Sequence, residues 1–289
     1  MNRRMEFLND DQIRWMEIDA LKLYIRRRIG GYHVAIKDLT TDNLLYRGVP
    51  WPDRPTKISQ LWHPPQGVSR MGRANRAGAS MFYSSRGAPP VFYEMRAKAG
   101  DRIALSEWSV VQAFLFHSLG FDDELMQAIG APPRSQLRGL IPNETNRNRR
   151  IRRALSLPFT EIVEPGSEHR YKQTIAINEL LFDGASTPVA GTAYPSMGMK
   201  GAADNIVLWP DFVPKILRPK SVRYVLVESA DPHSFAYSFA TIAIANNFTG
   251  DEIEWQADVP NDARSRSSIA LEGPSWVLRD GSGRIYDVH

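Results

Sequence analysis

The chain of 289 residues contains no cysteine, and that absence excludes several kinds of chemistry. A protein without thiols has no disulfide, no zinc–thiolate centre and no cysteine nucleophile, and it is compatible with a reducing compartment. The six histidines show no metal-ligand spacing, so we expect no metal site. The sequence also lacks the G-x-x-x-x-G-K-[ST], H-E-x-x-H, G-x-S-x-G and G-x-G-x-x-G signatures, which removes the most familiar catalytic and nucleotide-binding motifs.

Long apolar runs are missing as well. The longest apolar stretch lies around VVQAFLF (110–116), whereas a membrane-spanning helix needs roughly 20 such residues. The N-terminal segment MNRRMEFLNDDQIRW carries charges where a signal peptide has its apolar core. We therefore expect a cytoplasmic protein that has no membrane partner.

The composition is that of a globular protein with a mild positive charge. Apolar residues make up 43% of the chain, enough for a hydrophobic core, and seven tryptophans indicate large buried or ligand-facing surfaces. Basic residues number 36 and acidic residues 32, which gives a formal net charge of +4. So small an excess suits an anionic small molecule or an acidic partner as readily as nucleic acid.

The order of apolar and turn residues predicts one α+β unit. An amphipathic helix is predicted at 9–29. We divide the chain into an N-terminal helical extension, residues 1–40, and a single domain, residues 41–289, with a core at 44–212 and C-terminal strands at 222–289. Other helices are predicted at 169–182, from Pro89 or Pro90 onward and across much of 112–160, and strands at 44–48, 80–85, 101–110, within 191–212 and in a closing hairpin at 276–288.

The stretch GRANRAGASMFYSSRGAPPVFYE (72–94) brings a guanidinium, a phenol and a carboxylate into a short span. Arg73, Tyr83 and Glu94 are ten and eleven residues apart, on a predicted loop, a strand and the first turns of a helix. Two interpretations fit this arrangement. It is either a surface ion pair or a pocket for an anionic, aromatic ligand, with a carboxylate placed to act on it.

Several segments of the chain, taken in order, resemble the RES domain family, which is named for its Arg, Glu and Ser. The family pattern begins with a strand that ends in Tyr-Arg, then Gly-Arg-x-Asn-x-x-Gly and a strand that carries Tyr. A helix-borne Glu, a late Tyr-Pro-Ser and an Asn-led apolar strand follow. The resemblance covers residues 44–212, and its segments are Tyr46-Arg47, Gly72 to Gly78, Tyr83, Glu94, Tyr194-Pro195-Ser196 and Asn205 to Leu208.

The sequence departs from the RES pattern at two points. Position 74 is Ala where the family usually has an aromatic residue, which alters a wall of the pocket. The segment from about 112 to 168 is longer than in the compact members, and it could cap the site or carry a surface for a partner.

The resemblance implies an ADP-ribosyltransferase-like fold, with mixed sheets and flanking helices. It also implies an enzyme that consumes NAD and acts as a toxin, held in check by an antitoxin or immunity protein. The bond to be cleaved joins nicotinamide to ribose, and NAD is the substrate, so no cofactor beyond NAD is expected.

The same resemblance assigns roles to six residues. Arg47 and Arg73 would hold the two phosphates, because guanidinium groups bind phosphate in a bidentate manner. Tyr83 would stack on the nicotinamide ring. Glu94 would stabilise the positive charge that develops on the ribose, and Ser196 would hold a phosphate or ribose group. The catalytic set is thus Glu94, Arg47 and Tyr83, and the NAD-binding set is Arg47, Arg73, Tyr83, Ser196 and Asn205.

Other interpretations also fit the sequence. Each residue alone also fits a structural role, for example a buried ion pair between Arg47 and Glu94. The arginine runs Arg26–Arg28 and Arg147–Arg153 suggest a nucleic-acid-binding protein instead. A third interpretation is a RES-like binding subunit without catalysis. The sequence does not choose between water, phosphate and protein as acceptor, between monomer and homodimer, or between action in the producing cell and delivery into a rival.

Overall fold

The computed structural model describes residues 8–30, 32, 34, 36–131, 145–231, 236–256, 259, 266–272 and 275–287. Within these residues the α-helices are α1 (Asp10–Trp15), α2 (Ile18–Ile29), α3 (Pro89–Glu94), α4 (Asp123–Ala128), α5 (Asn146–Ser156), α6 (Tyr171–Asp183) and α7 (Val213–Ile216). The strands are β1 (Ile36–Leu39), β2 (Leu44–Pro50), β3 (Phe82–Ser85), β4 (Arg102–Val110), β5 (Phe114–Ser118), β6 (Gly191–Pro195), β7 (Asp204–Leu208), β8 (Leu217–Asp231), β9 (Ala236–Ala245), β10 (Asn247–Thr249), β11 (Glu252–Glu254), β12 (Arg266–Glu272), β13 (Ser275–Arg279) and β14 (Ile285–Asp287).

Twelve strands of the described chain form one mixed sheet. Their order is β1-β5-β6-β7-β3-β2-β4-β8-β9-β12-β13-β14, and β10 and β11 form a separate ribbon. Neighbouring strands are antiparallel, except β5 and β6, which run parallel. This large sheet with its flanking helices confirms the predicted α+β class.

The predicted helix at 9–29 is divided into α1 and α2. A capping box between Asn9 and Gln12 starts α1. Met16 then has extended backbone, with ψ 138°, so the chain leaves the helix before α2 begins. The run from Arg26 to Arg28 lies in the last turn of α2, where cations interact favourably with the negative end of the helix dipole.

The prediction of helix across much of 112–160 is wrong for its first part. Phe114–Ser118 forms β5, because its alternate residues Phe114 and Phe116 are buried together in the largest apolar cluster. The composition of a short apolar run does not show whether the run forms a strand or a buried helix. Later in this segment, α4 and α5 confirm the prediction of helix. Residues 132–144 lie outside the described residues.

The predicted N-terminal extension, residues 1–40, is helical in α1 and α2 but ends in β1, which pairs with β5 at one edge of the sheet. Ion pairs fasten α2 to the core of the chain. Arg76 contacts Asp19 of α2 and Glu179 of α6, each at 2.6 Å, and Lys22 contacts Glu179 at 3.1 Å. The extension is therefore built into the fold rather than appended to it.

The two faces of the central strands carry different side chains. On β3, Phe82 packs in the apolar cluster that contains Trp108, whereas the next residue, Tyr83, packs in a cluster on the opposite face. Helix α3 lies on β2 at Gly48, where an added Cβ would come within 2.6 Å of Met95 Sδ. A glycine in this strand therefore allows α3 to approach the sheet closely.

Trp108 lies fully buried in the cluster that contains Phe82. The two rings meet edge to face at 5.4 Å between centroids, and Trp108 Nε1 donates to Ser106 Oγ at 2.8 Å. We expect Trp108→Ala to lower the free energy of unfolding by about 3–5 kcal/mol, because it leaves a cavity and removes the hydrogen bond to Ser106 Oγ. Urea denaturation measures the change. Trp15→Ala is the control, since Trp15 is 81% exposed, and an equal loss there would contradict the assignment.

His117 on β5 makes stability depend on pH. Its side chain is 5% exposed, and burial lowers the pKa of the imidazole below its ordinary value. Below about pH 6.5 the unfolded chain binds a proton more readily than the folded chain, so the free energy of unfolding falls as the pH drops. Urea denaturation at several pH values should show a smaller fall for His117→Leu than for the parent. Identical slopes would contradict this account.

Candidate active site

The loop at 72–78 is held in shape by the buried side chain of Asn75. Its Nδ2 amide donates to three backbone carbonyl oxygens of the same region at 2.8, 2.9 and 3.0 Å. Its Oδ1 accepts from the Tyr83 hydroxyl at 2.7 Å. Asn75 therefore organises the loop that carries Arg73 and joins it to β3.

Two hydrogen bonds hold the hydroxyl group of Tyr83 in place. Oη accepts from the backbone N–H of Ala74 at 2.9 Å and donates to Asn75 Oδ1. Burial raises the pKa of the Tyr83 phenol above its ordinary value, so it stays protonated and keeps this donor at neutral pH. Gly72 lies against the same hydroxyl, since an added Cβ would be 2.8 Å from Tyr83 Oη and 2.7 Å from Asn75 Oδ1.

Glu94, the last residue of α3, is oriented by two buried polar side chains. Ser196 Oγ donates to Glu94 Oε1 at 2.6 Å, and Asn205 Nδ2 donates to the same oxygen at 2.9 Å. Ser196 is completely buried and Asn205 is 5% exposed, whereas Glu94 itself is exposed. One oxygen of the carboxylate is therefore fixed by the protein while the side chain remains open to a ligand.

Two antiparallel strands, β6 and β7, position Ser196 and Asn205. On β6 and β7, Tyr194 lies opposite Asn205, and Ser196 follows directly after β6. The backbone of Ser196 closes the connection, because its N–H donates to the Ala203 carbonyl and its carbonyl accepts from Gly201 N–H, both at 2.7 Å. Three of the residues predicted from the resemblance, Glu94, Ser196 and Asn205, are thus brought into direct contact.

Arg73 lies between two tyrosine rings. Its Cζ is 5.6 Å from the ring centroid of Tyr171 and 5.7 Å from that of Tyr194. Nη1 donates to the carbonyl of Pro158 at 2.9 Å, and Nη2 donates to the carbonyl of Glu161 at 2.8 Å. Two of the five N–H donors of the guanidinium are therefore used by the backbone of one neighbouring segment.

The charges of Glu94 and Arg73 act on the same two tyrosines. Burial is the main cause that raises the pKa of Tyr194, with smaller contributions from Tyr83 and Glu94 and an opposing one from Arg73. Burial likewise raises the pKa of Tyr171, Arg73 opposes it and Glu94 adds to it. The carboxylate of Glu94 and the guanidinium of Arg73 thus have opposite effects on the pKa of the same two phenols.

Arg47 lies on the other side of the sheet from Glu94. Side chains alternate along β2, and Arg47 points to the face of Phe82, with its Cζ 5.2 Å from that ring centroid. Its Nε, Nη1 and Nη2 donate to three backbone carbonyl oxygens, including that of Tyr83, at 3.0, 2.9 and 3.1 Å. Burial lowers the pKa of the Arg47 guanidinium to about 10, which still leaves it charged at neutral pH. The structure therefore brings Arg47 to the backbone of Tyr83, but it does not place the Arg47 side chain with Glu94, Ser196 and Asn205.

Arg96 and Tyr171 were not among the site residues predicted from the sequence. Arg96 follows α3 with φ 50°, in the left-handed conformation that glycine usually supplies at this position after a helix. Its N–H donates to the Tyr93 carbonyl at 3.0 Å, as this helix closure requires. Tyr171 lies in a correctly predicted helix, but helical spacing alone does not show that its ring meets Arg73.

The arginine run on α5 is largely engaged within the chain. Arg152 forms an ion pair at 2.7 Å with the buried carboxylate of Asp122, and Arg153 pairs with Glu124. Arg147 donates at 2.7 Å to the carbonyl of the residue that caps the C-terminus of α2. Part of the positive charge that suggested a nucleic-acid partner is thus neutralised by acidic residues of α4 and its N-cap.

The chain matches no protein-family model and no curated protein. The resemblance to the RES domain therefore rests on the residues quoted above. Among the described residues, no group of three or more His, Asp and Glu side chains is placed to hold a metal ion. None of the helices in that part of the chain is long and apolar enough to cross a membrane.

Gly72→Ala tests the contact between the loop and Tyr83. The new methyl group would overlap the Tyr83 hydroxyl and Asn75 Oδ1, so we expect a loss of about 1–3 kcal/mol in the free energy of unfolding. Gly30→Ala is the matched control, because an added Cβ at Gly30 meets no atom within 4 Å. Thermal or urea denaturation compares the two variants, and equal stabilities would show that the loop yields without cost.

Proposed function

We propose that this protein cleaves the bond between nicotinamide and ribose in NAD and passes the ADP-ribosyl group to an acceptor. The observation that carries the proposal is the exposed carboxylate of Glu94, held at one oxygen by buried Ser196 and Asn205. The order of the RES-like segments supports it, since the Glu and Ser for which that family is named, with its Asn, meet in this one contact.

A negative charge beside the ribose favours cleavage of the nicotinamide–ribose bond. As the nicotinamide leaves with the bonding electron pair, positive charge develops on the ribose, as it does in glycoside hydrolysis. A preoriented carboxylate stabilises that charge without having to reorganise during the reaction. Both hydrogen bonds go to Oε1 of Glu94, so Oε2 is the oxygen that we assign to the ribose or to the incoming acceptor.

The surrounding residues supply the remaining recognition. Arg73 offers a guanidinium for the diphosphate, flanked by the rings of Tyr171 and Tyr194. Tyr83, which is fixed at its hydroxyl, contributes the face of its ring for stacking with an aromatic base. Arg47, by contrast, binds the Tyr83 carbonyl from the opposite face, so we assign it the role of positioning β3.

The biological setting follows from the same resemblance. We propose a toxin that depletes NAD, acts in the cytoplasm of its own or a target cell, and is neutralised by a dedicated antitoxin or immunity protein. Water, phosphate and a protein side chain remain the candidate acceptors, and the contacts of Glu94 do not favour one of them.

Glu94→Gln is the decisive variant, because glutamine keeps an oxygen for Ser196 and Asn205 while it removes the charge. We expect kcat/KM for nicotinamide release to fall by about 100- to 1,000-fold, the usual cost of losing one electrostatic stabiliser. Release from NAD is followed by chromatography, with and without phosphate. Glu252→Gln, a change at an exposed glutamate on β11, is the control and should leave the rate unchanged.

The outcomes separate the candidate functions. Faster release in the presence of phosphate identifies phosphate as an acceptor. Equal turnover by Glu94→Gln and the parent would remove Glu94 from the mechanism. A folded parent protein that binds NAD but releases no nicotinamide would favour the binding subunit without catalysis. A protein that instead binds nucleic acid, with an affinity that falls steeply with salt, would favour the arginine-run hypothesis.

A further inference from the structure

The segment at 160–167, here called the strap, is bound by Arg73 and by Arg96, which lies two residues after Glu94. It connects the turn that ends at Phe159 to the turn that begins at Glu168. Four of its eight residues are exposed, but Val163 is 7% exposed although its neighbours Ile162 and Glu164 are exposed. Val163 is therefore inserted into the protein from the middle of the strap, and Thr160 is buried at its start.

Two arginines hold the strap by its backbone. Arg73 Nη2 donates to the carbonyl of Glu161 at 2.8 Å, and Arg96 Nη2 donates to the carbonyl of Val163 at 3.0 Å. Both guanidinium groups therefore bind the backbone of one short segment, at positions two residues apart. The side chain of Arg96 also contacts Glu164 at 3.7 Å, an exposed ion pair of little strength.

The two carbonyls that accept from Arg73 and Arg96 lie close together in the chain. Residues 161 and 163 are two positions apart, so their backbones are separated by about 7 Å at most. Arg73 and Arg96 thus approach acceptor oxygens that are close together. Neutral carbonyls satisfy guanidinium donors weakly compared with phosphate oxygens, since charge-assisted hydrogen bonds are roughly twice as strong.

The backbone of Arg96 adds an independent observation. It has φ 50°, a conformation that costs a non-glycine residue free energy, at a position where glycine would close the helix without strain. The arginine side chain therefore sits two residues after Glu94 at some cost to stability. Its side chain reaches the strap rather than an acidic partner in the core.

We propose that Arg73 and Arg96 form a diphosphate subsite beside Glu94, and that the strap occupies it in the free protein as an autoinhibitory contact. This inference rests on the proposed function, and it names the part of the site that binds the substrate's diphosphate. When the strap leaves, the phosphate oxygens replace the carbonyls of Glu161 and Val163. Binding then carries the cost of strap opening, which lowers the apparent affinity.

Inorganic pyrophosphate is the probe that tests this subsite without relying on turnover. Titration calorimetry should show that Arg96→Gln weakens its binding by about tenfold or more, since one charge-assisted contact is lost. Arg102→Gln is the matched control, because Arg102 is also exposed and donates to a single backbone carbonyl, that of Pro52. Equal losses in the two variants, or none in Arg96→Gln, would overturn the assignment of Arg96.

Val163→Ala tests the strap itself. Removing part of the inserted side chain makes opening easier, so pyrophosphate should bind about three- to tenfold more tightly. Ile162→Ala is the control, since Ile162 is 58% exposed and should change nothing. Hydrogen exchange of the strap amides should become faster when pyrophosphate is added to the parent protein. Weaker binding in Val163→Ala, or slower exchange, would show that the strap closes over the ligand and would overturn autoinhibition.

Different results would overturn the diphosphate subsite and the proposed cleavage of NAD. If pyrophosphate binding follows the pattern above while NAD releases no nicotinamide, the subsite stands and the reaction is wrong. If nicotinamide is released but the parent and Val163→Ala both fail to bind pyrophosphate, the reaction stands and the diphosphate subsite is overturned. Thermal unfolding of each variant verifies that the comparisons are made between folded proteins.

Discussion

The contact between Glu94 and the two buried donors, Ser196 and Asn205, is the constraint on which the site depends. A carboxylate at the end of a short helix would normally turn toward water, since α3 supplies no partner of its own. Here the helix end, the residue after β6 and the start of β7 must all be in place before both hydrogen bonds can form. Because both donors are buried, loss of the carboxylate oxygen would leave them without this acceptor, at a cost of roughly 1–3 kcal/mol each.

A second set of contacts joins the sheet to the loop at 72–78. Arg47 binds the carbonyl of Tyr83 from one face, and Asn75 binds its hydroxyl from the other. Asn75 also donates to three backbone carbonyl oxygens in and beside the loop that carries Arg73. These contacts give structural roles to Arg47, from the Tyr-Arg segment, and to Asn75, from the Gly-Arg-x-Asn segment. Each holds an element in place, and neither has to touch a ligand to be required.

The sequence predicted the elements that carry strong local signals, namely the strands β2, β3 and β4 and the proline-started helix α3. It also predicted that Glu94, Ser196 and Asn205 belong to one site. The side of the sheet on which Arg47 lies could not be predicted, because both faces of β2 and β3 are at least partly covered and the alternation of their residues shows no polar side. For the same reason β5 was predicted as helix, and the left-handed backbone of Arg96 has no signature in the sequence.

The central claim is that Glu94, held by two buried donors, assists cleavage of the nicotinamide–ribose bond. Proton NMR of NAD incubated with the parent protein observes that bond directly, because the nicotinamide and ribose signals shift when it breaks. The account predicts that free nicotinamide and an ADP-ribosyl product appear in equal amounts, and that Glu94→Gln leaves the NAD spectrum unchanged over the same time. An unaltered NAD spectrum with the folded parent protein, in the presence and absence of phosphate, would contradict it.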